Sequence, residues 1–169
     1  MAVLPNARVP EIRLIAVNEL DDVRVLAERL IGEHLSLADH RWTFRWDHAR
    51  RRAGACHHDT HEISLSRHIT SLGSIDDAEQ TLLHEIAHAL CGKKHNHSQK
   101  WLDTARSLGY TGRVRHTGPT PDHLARWRGT CAAGHVVLRY RKPRNIIASC
   151  VVCNPRFSRQ HLINWEPLG

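Results

Sequence analysis

His84 and His88 stand four residues apart, with Glu85 directly after the first, inside the stretch TLLHEIAHALCGKKHNHSQKW that runs from Thr81 to Trp101. Four residues is just over one helical turn, so on a helix both rings project from the same face. Two imidazoles at that spacing suit a transition metal, zinc first, and the adjacent carboxylate is left over to move a proton. A chain with 15 histidines can produce the pattern by chance, so its setting has to decide. Winding about 100° per residue from Ser74 gathers Leu82, Leu83, Ile86 and Leu90 into one apolar stripe and puts His84 and His88 nearly opposite it. Small or apolar residues (Ala78, Ala87, Ala89 and Cys91) surround the histidines, where a solvated face would carry Lys, Glu and Gln. The histidine side is therefore expected to line a cleft.

A catalytic zinc takes three protein ligands and keeps a fourth position open. A third histidine at metzincin spacing would fall on Lys94, with its glycine at Cys91, so that pattern fails. A later glutamate is almost excluded, because Glu166 is the only one after Glu85. The remaining donors are His95 and His97, which follow a turn that reverses the chain. The residues alone leave both open.

TLLHEIAHAL followed by HNHSQKW resembles the SprT/Spartan group of zinc metallopeptidases, in which the third zinc histidine lies four residues before an aromatic that opens the next helix. His97 and Trp101 match that pair. Upstream, AGACHHDTHEISLSRHI resembles the strand pair that precedes the zinc helix in that group, so the likeness extends from about Arg41 to Leu108. The resemblance implies a small zincin-like α+β domain with helices on a roughly three-stranded sheet. It implies His84, His88 and His97 as ligands of a catalytic zinc and Glu85 as the general base. It also implies proteins crosslinked to, or tightly held on, DNA as substrates.

The C-terminal part carries a second set of donors. Cys150-x-x-Cys153 has zinc-knuckle spacing, and Cys131-x3-His135 can complete a three-cysteine, one-histidine structural site. SprT-like proteins often end in such a zinc ribbon, although four cysteines would be the fuller pattern. Two zinc ions are thus expected, one catalytic and one structural. Cys56 and Cys91 lack such partners and read as buried thiols.

Charge is distributed unevenly. Met1 to Gly112 holds 14 Lys+Arg against 15 Asp+Glu, whereas Arg113 onward holds 10 against only Asp122 and Glu166. That basic tail is the footprint of a phosphate-binding segment. Within VVLRYRKPR, Arg139 and Arg141 are expected on one strand face with Tyr140 opposite, and Lys142 and Arg144 at the turn, making these four cations the DNA contacts. Trp127, Phe157 and Trp165 are expected to form the small core of the ribbon. Arg50–Arg52 reads as a solvated edge.

Around the site, Glu19–Leu37 has helical periodicity, and RWTFRWD alternates like a half-buried strand. RRAGACHH and THEISLS read as two further strands joined at HHDT. Ser74 with Asp77 forms a capping box for a helix that ends at Gly92, and another helix starts near Ser98. The expected organisation is a metallopeptidase domain over 1–112, a linker over 113–126 and a basic zinc-ribbon module over 127–169. No apolar run reaches signal-peptide or membrane-spanning length, so the expectation is a monomer that is not secreted and has no membrane partner. It would be cytoplasmic and nucleoid-associated, or nuclear in a eukaryote. The competing expectation from another class is a DNA-binding ribbon protein whose first domain retains little or no peptidase activity.

Overall fold

The computed structural model describes residues 17–112 and 119–169. These fall into two compact units divided between Thr120 and Pro121. Most of the expected linker, 113–118, lies outside the described residues.

In the first unit, α1 (Val17–Leu35) is followed by three strands, β1 (Thr43–Asp47), β2 (Gly54–His57) and β3 (Glu62–Ser66). The sheet order is β1-β3-β2, with β1 parallel and β2 antiparallel to β3. Alternation assigns its two faces. Phe44, Trp46, Ile63, Leu65 and Cys56 join the core that α1 and α3 (Ile75–Cys91) build against the sheet. Val23, Ala27, Leu82 and Ile86 are fully enclosed there. Each such leucine or isoleucine contributes about 1.5–3 kcal/mol by leaving water. Leu90 departs from the expected stripe: it is 45% exposed. Angular position alone does not bury a side chain; a neighbour must also face that turn. A single-turn helix, α2 (Arg67–Thr70), was not expected; Ser66 caps it by accepting the Ile69 N–H.

The opposite sheet face is polar and closed by its own hydrogen bonds. Ser64, with no exposed surface, donates to Asp47 Oδ2 at 2.8 Å, and Arg52 Nη1 donates to the same oxygen at 2.7 Å. The Ala49 N–H donates to Oδ1 at 2.8 Å. Arg52 of the arginine run is therefore ion-paired to a buried acid. Burial alone would raise the Asp47 carboxyl pKa; the Ala49 N–H, the Ser64 hydroxyl and the Arg52 guanidinium together outweigh it and hold the pKa below the usual 3.8. A depressed folded-state pKa contributes stability that is present above the unfolded value and lost as pH falls through the folded one. Asp47→Asn is therefore expected to cost about 1–3 kcal/mol at neutral pH. The gap to wild type should shrink steadily as urea melts are taken below about pH 4. A gap that did not change with pH would mean that the carboxylate's charge does not matter.

α3 begins as expected. Ser74 accepts the Asp77 N–H at 3.1 Å and Asp77 Oδ2 accepts the Ser74 N–H at 2.9 Å, which completes the capping box. Gly92, at φ +78°, ends the helix in a conformation that a side chain would strain. A 3-10 turn at Lys93–His95 then reverses the chain, and Ser98 caps α4 (Gln99–Ser107).

The second unit is a three-stranded antiparallel sheet of β4 (Trp127–Cys131), β5 (Val136–Arg139) and β6 (Ile163–Pro167), with β4 central. β5 ends at Arg139, so Arg141 does not share a strand face with it. Phe157 is 61% exposed and is not part of a core; Trp127 and Trp165 are half-buried.

Candidate metal centre

α3 presents His84 and His88 one turn apart, and the turn after Gly92 returns His97 to the same place. The three Nε2 atoms approach one another at 3.2 Å (His84–His88), 3.1 Å (His88–His97) and 3.1 Å (His84–His97). Nitrogens bound about 2.0–2.1 Å from one tetrahedral centre stand about 3.3 Å apart, so this cradle fits zinc with no rearrangement of the chain. His95 points elsewhere, with its Nε2 3.4 Å from Lys100 Nζ. Burial, followed by the neighbouring His88 and His97, lowers the His84 pKa to about 3. Burial, then His97 and His58, lowers the His88 pKa to about 4. Both rings are therefore neutral at physiological pH, the form that ligates a metal.

The floor of the cradle is Trp101, fully buried in the first turn of α4. Its indole stacks on His88 (centroids 5.2 Å apart, 27° between planes) and meets His84 and His97 nearer edge-on, at 4.6 and 4.8 Å. One aromatic surface thus limits the rotation of all three imidazoles. The sequence suggested Trp101 only as a family marker; the structure shows what it touches.

Glu85 is 8% exposed, and its side chain lies against Gly54 of β2. Its seat depends on Gly54: a Cβ there would lie 2.9 Å from Glu85 Cγ and 3.1 Å from Oε1. Burial raises the Glu85 carboxyl pKa to about 7, against the opposing pull of Arg52 and the Cys56 N–H, with Asp47 adding to the rise. Cys56 lies beside it, half-buried rather than buried, with its Sγ 3.6 Å from His58 Nε2. Burial and then the Glu85 charge push this thiol up to about 12, so it stays protonated. Cys91 is buried, with its sulfur 3.2 Å from Thr104 Oγ1.

In the second unit, Cys131, His135, Cys150 and Cys153 form the other donor cluster. His135 Nδ1 lies 3.6 Å from Cys131 Sγ, 3.2 Å from Cys153 Sγ and 3.7 Å from Cys150 Sγ; Cys131 and Cys153 Sγ are 3.8 Å apart. A tetrahedral zinc with Zn–S of about 2.3 Å implies roughly 3.8 Å between sulfurs and 3.6 Å from sulfur to nitrogen. The set fits a closed structural site. Of the four expected DNA contacts, Arg139 lies over the Trp165 ring (5.9 Å) and Lys142 over the Trp127 ring (5.9 Å), while Arg141 and Arg144 are exposed.

A helix carrying two histidines and a buried glutamate, laid on a small mixed sheet with a third histidine returning from a turn, defines a zincin-like α+β architecture. The SprT-like family model matches residues 23–123, and the chain belongs to that family. No curated protein matches it. Among solved structures it is similar to the metallopeptidase zymogen abylysin of Pyrococcus abyssi, at 16% identity and a TM-score of 0.40, over 55% of this chain and 81% of that one. Among the described residues, no helix is long and apolar enough to cross a membrane.

Proposed function

We propose that this protein is a zinc-dependent metallopeptidase that cleaves proteins associated with DNA. The observation carrying this reading is the convergence of His84, His88 and His97 on one point, with the buried Glu85 next to His84 in the chain. Zinc held there would act as a Lewis acid, acidifying a water and polarising a peptide carbonyl. The three imidazoles would hold it, and Trp101 would keep their rings aimed. Glu85 is not among the converging donors, so its carboxylate is available to take the proton of the attacking water and return it to the leaving amine. The Cys131, His135, Cys150 and Cys153 cluster would hold a second, structural zinc.

Support for DNA comes from the second unit, where Arg139, Arg141, Lys142 and Arg144 crowd a small fold that has only Asp122 and Glu166 as acids. Arginine beside an aromatic can bind phosphate while presenting a surface on which bases stack.

The test is to incubate zinc-loaded protein with a DNA-binding protein, with and without single- or double-stranded DNA, and to follow fragments on a gel. DNA-stimulated cleavage is expected. DNA binding without cleavage would leave only a ribbon-type binding protein, and cleavage indifferent to DNA would remove the nucleic-acid role. Binding should weaken steeply with salt, with a shallower slope once Arg139, Arg141 and Arg144 are replaced by Ala.

A further inference from the structure

We propose that Tyr110 is a positioning residue of the metal centre: its hydroxyl accepts the Nδ1 proton of His84 and so holds that imidazole in the tautomer whose Nε2 lone pair faces His88 and His97. This rests on the reading of the three histidines as a zinc cradle, and deepens it.

The contact itself is Tyr110 Oη at 3.4 Å from His84 Nδ1, with the two rings edge to face at 5.5 Å. A neutral imidazole carries one ring proton. His84 Nε2 is the atom that meets the other two histidines, so it can act as a donor atom only if the proton sits on Nδ1. A ligand histidine is held in that state by whatever accepts at its second nitrogen. Here the acceptor is a phenol that is 5% exposed and also packs on Trp101 at 5.9 Å.

The chain holds Tyr110 there from two sides, which a merely space-filling tyrosine would not need. From α3, Gln80, one turn before His84, accepts the Thr111 N–H at 2.7 Å and donates to the Gly109 carbonyl at 3.4 Å. From α4, Arg106 donates to the carbonyls of Tyr110 and Gly112 while its guanidinium lies over the phenol ring. Gly112 leaves room for the hydroxyl, because a Cβ there would lie 2.7 Å from it. Two helices thus strap a four-residue turn so that one hydroxyl reaches one nitrogen.

Tyr110→Phe in the full-length protein removes the acceptor and keeps the ring. Zinc affinity, read by competition with a chelator, should fall about 10-fold, the low end of the range for such partners and in keeping with the long contact. A tyrosine that only filled space would leave zinc affinity unchanged, because phenylalanine keeps the ring. In nitrogen-15 spectra, the His84 Nδ1–H signal of the zinc-loaded wild type should exchange slowly with solvent and that of Tyr110→Phe rapidly. Gly112→Ala, which displaces the phenol without altering Tyr110, should move affinity and exchange the same way. His84→Ala supplies the reference for zinc held elsewhere. If wild type binds no more zinc than His84→Ala, the cradle reading itself fails. If wild type binds the additional zinc and Tyr110→Phe matches it in affinity and exchange, only the role of Tyr110 is overturned.

Discussion

Glu85→Gln should bind as much zinc as wild type and cleave protein about 10²–10⁴-fold more slowly, the usual contribution of a positioned general base. The substitution is nearly isosteric, so the Gly54 side of the seat, which leaves room for the Glu85 side chain, should hold the amide too. Since His84, His88 and His97 converge without Glu85, zinc content should be insensitive to it. What changes is that an amide cannot accept a proton. Metal analysis beside cleavage rates separates the two roles: intact zinc with unaltered cleavage would take Glu85 out of the mechanism, and lost zinc would make it a ligand.

Stripping zinc from the second unit should unfold it. Apart from Pro121, its buried apolar side chains are two of the cluster's own cysteines, Cys131 and Cys150, while Ile146, Ile147, Val151, Val152 and Phe157 stand exposed. A fold with so little core depends on its cross-links. Structural zinc in small peptides is worth about 10–16 kcal/mol of apparent binding energy, which becomes folding energy when apo sites are disordered. Cys150→Ser, or a strong chelator, is expected to collapse the amide dispersion of Pro121–Gly169 and abolish DNA binding together. Retained dispersion in the chelated protein would show that the sheet stands without a metal.

What was legible in the sequence was mostly local. The capping box at Ser74 and Asp77, the helix stop at Gly92 and the Ser98 cap each depend on residues within one turn, so spacing suffices to find them. The His84–His88 pair is local for the same reason. His97 came from family resemblance, because only a chain reversal brings it back to α3. Harder to see were side chains whose roles arise when distant segments meet. Trp101 lies under three imidazoles, Gly54 makes the Glu85 seat from another strand, and Tyr110 reaches His84 from a turn 26 residues on. A tyrosine set between Gly109 and Gly112 just after a helix was the available signal for the last. Leu90 and Phe157 erred in the opposite direction: hydrophobic type and position suggested burial, but 45% and 61% of their surfaces stay exposed. The register of β1 beside β3, with β2 outside the pair, was likewise invisible, since alternation shows faces and not order.

The most direct measurement of the central claim is anomalous scattering at the zinc edge from crystals of the zinc-loaded protein. The account predicts a peak about 2.0–2.1 Å from the Nε2 atoms of His84, His88 and His97, with Glu85 outside bonding distance, and a second peak among the C-terminal cysteines. A peak at the cysteines alone, from crystals grown with excess zinc, would contradict it.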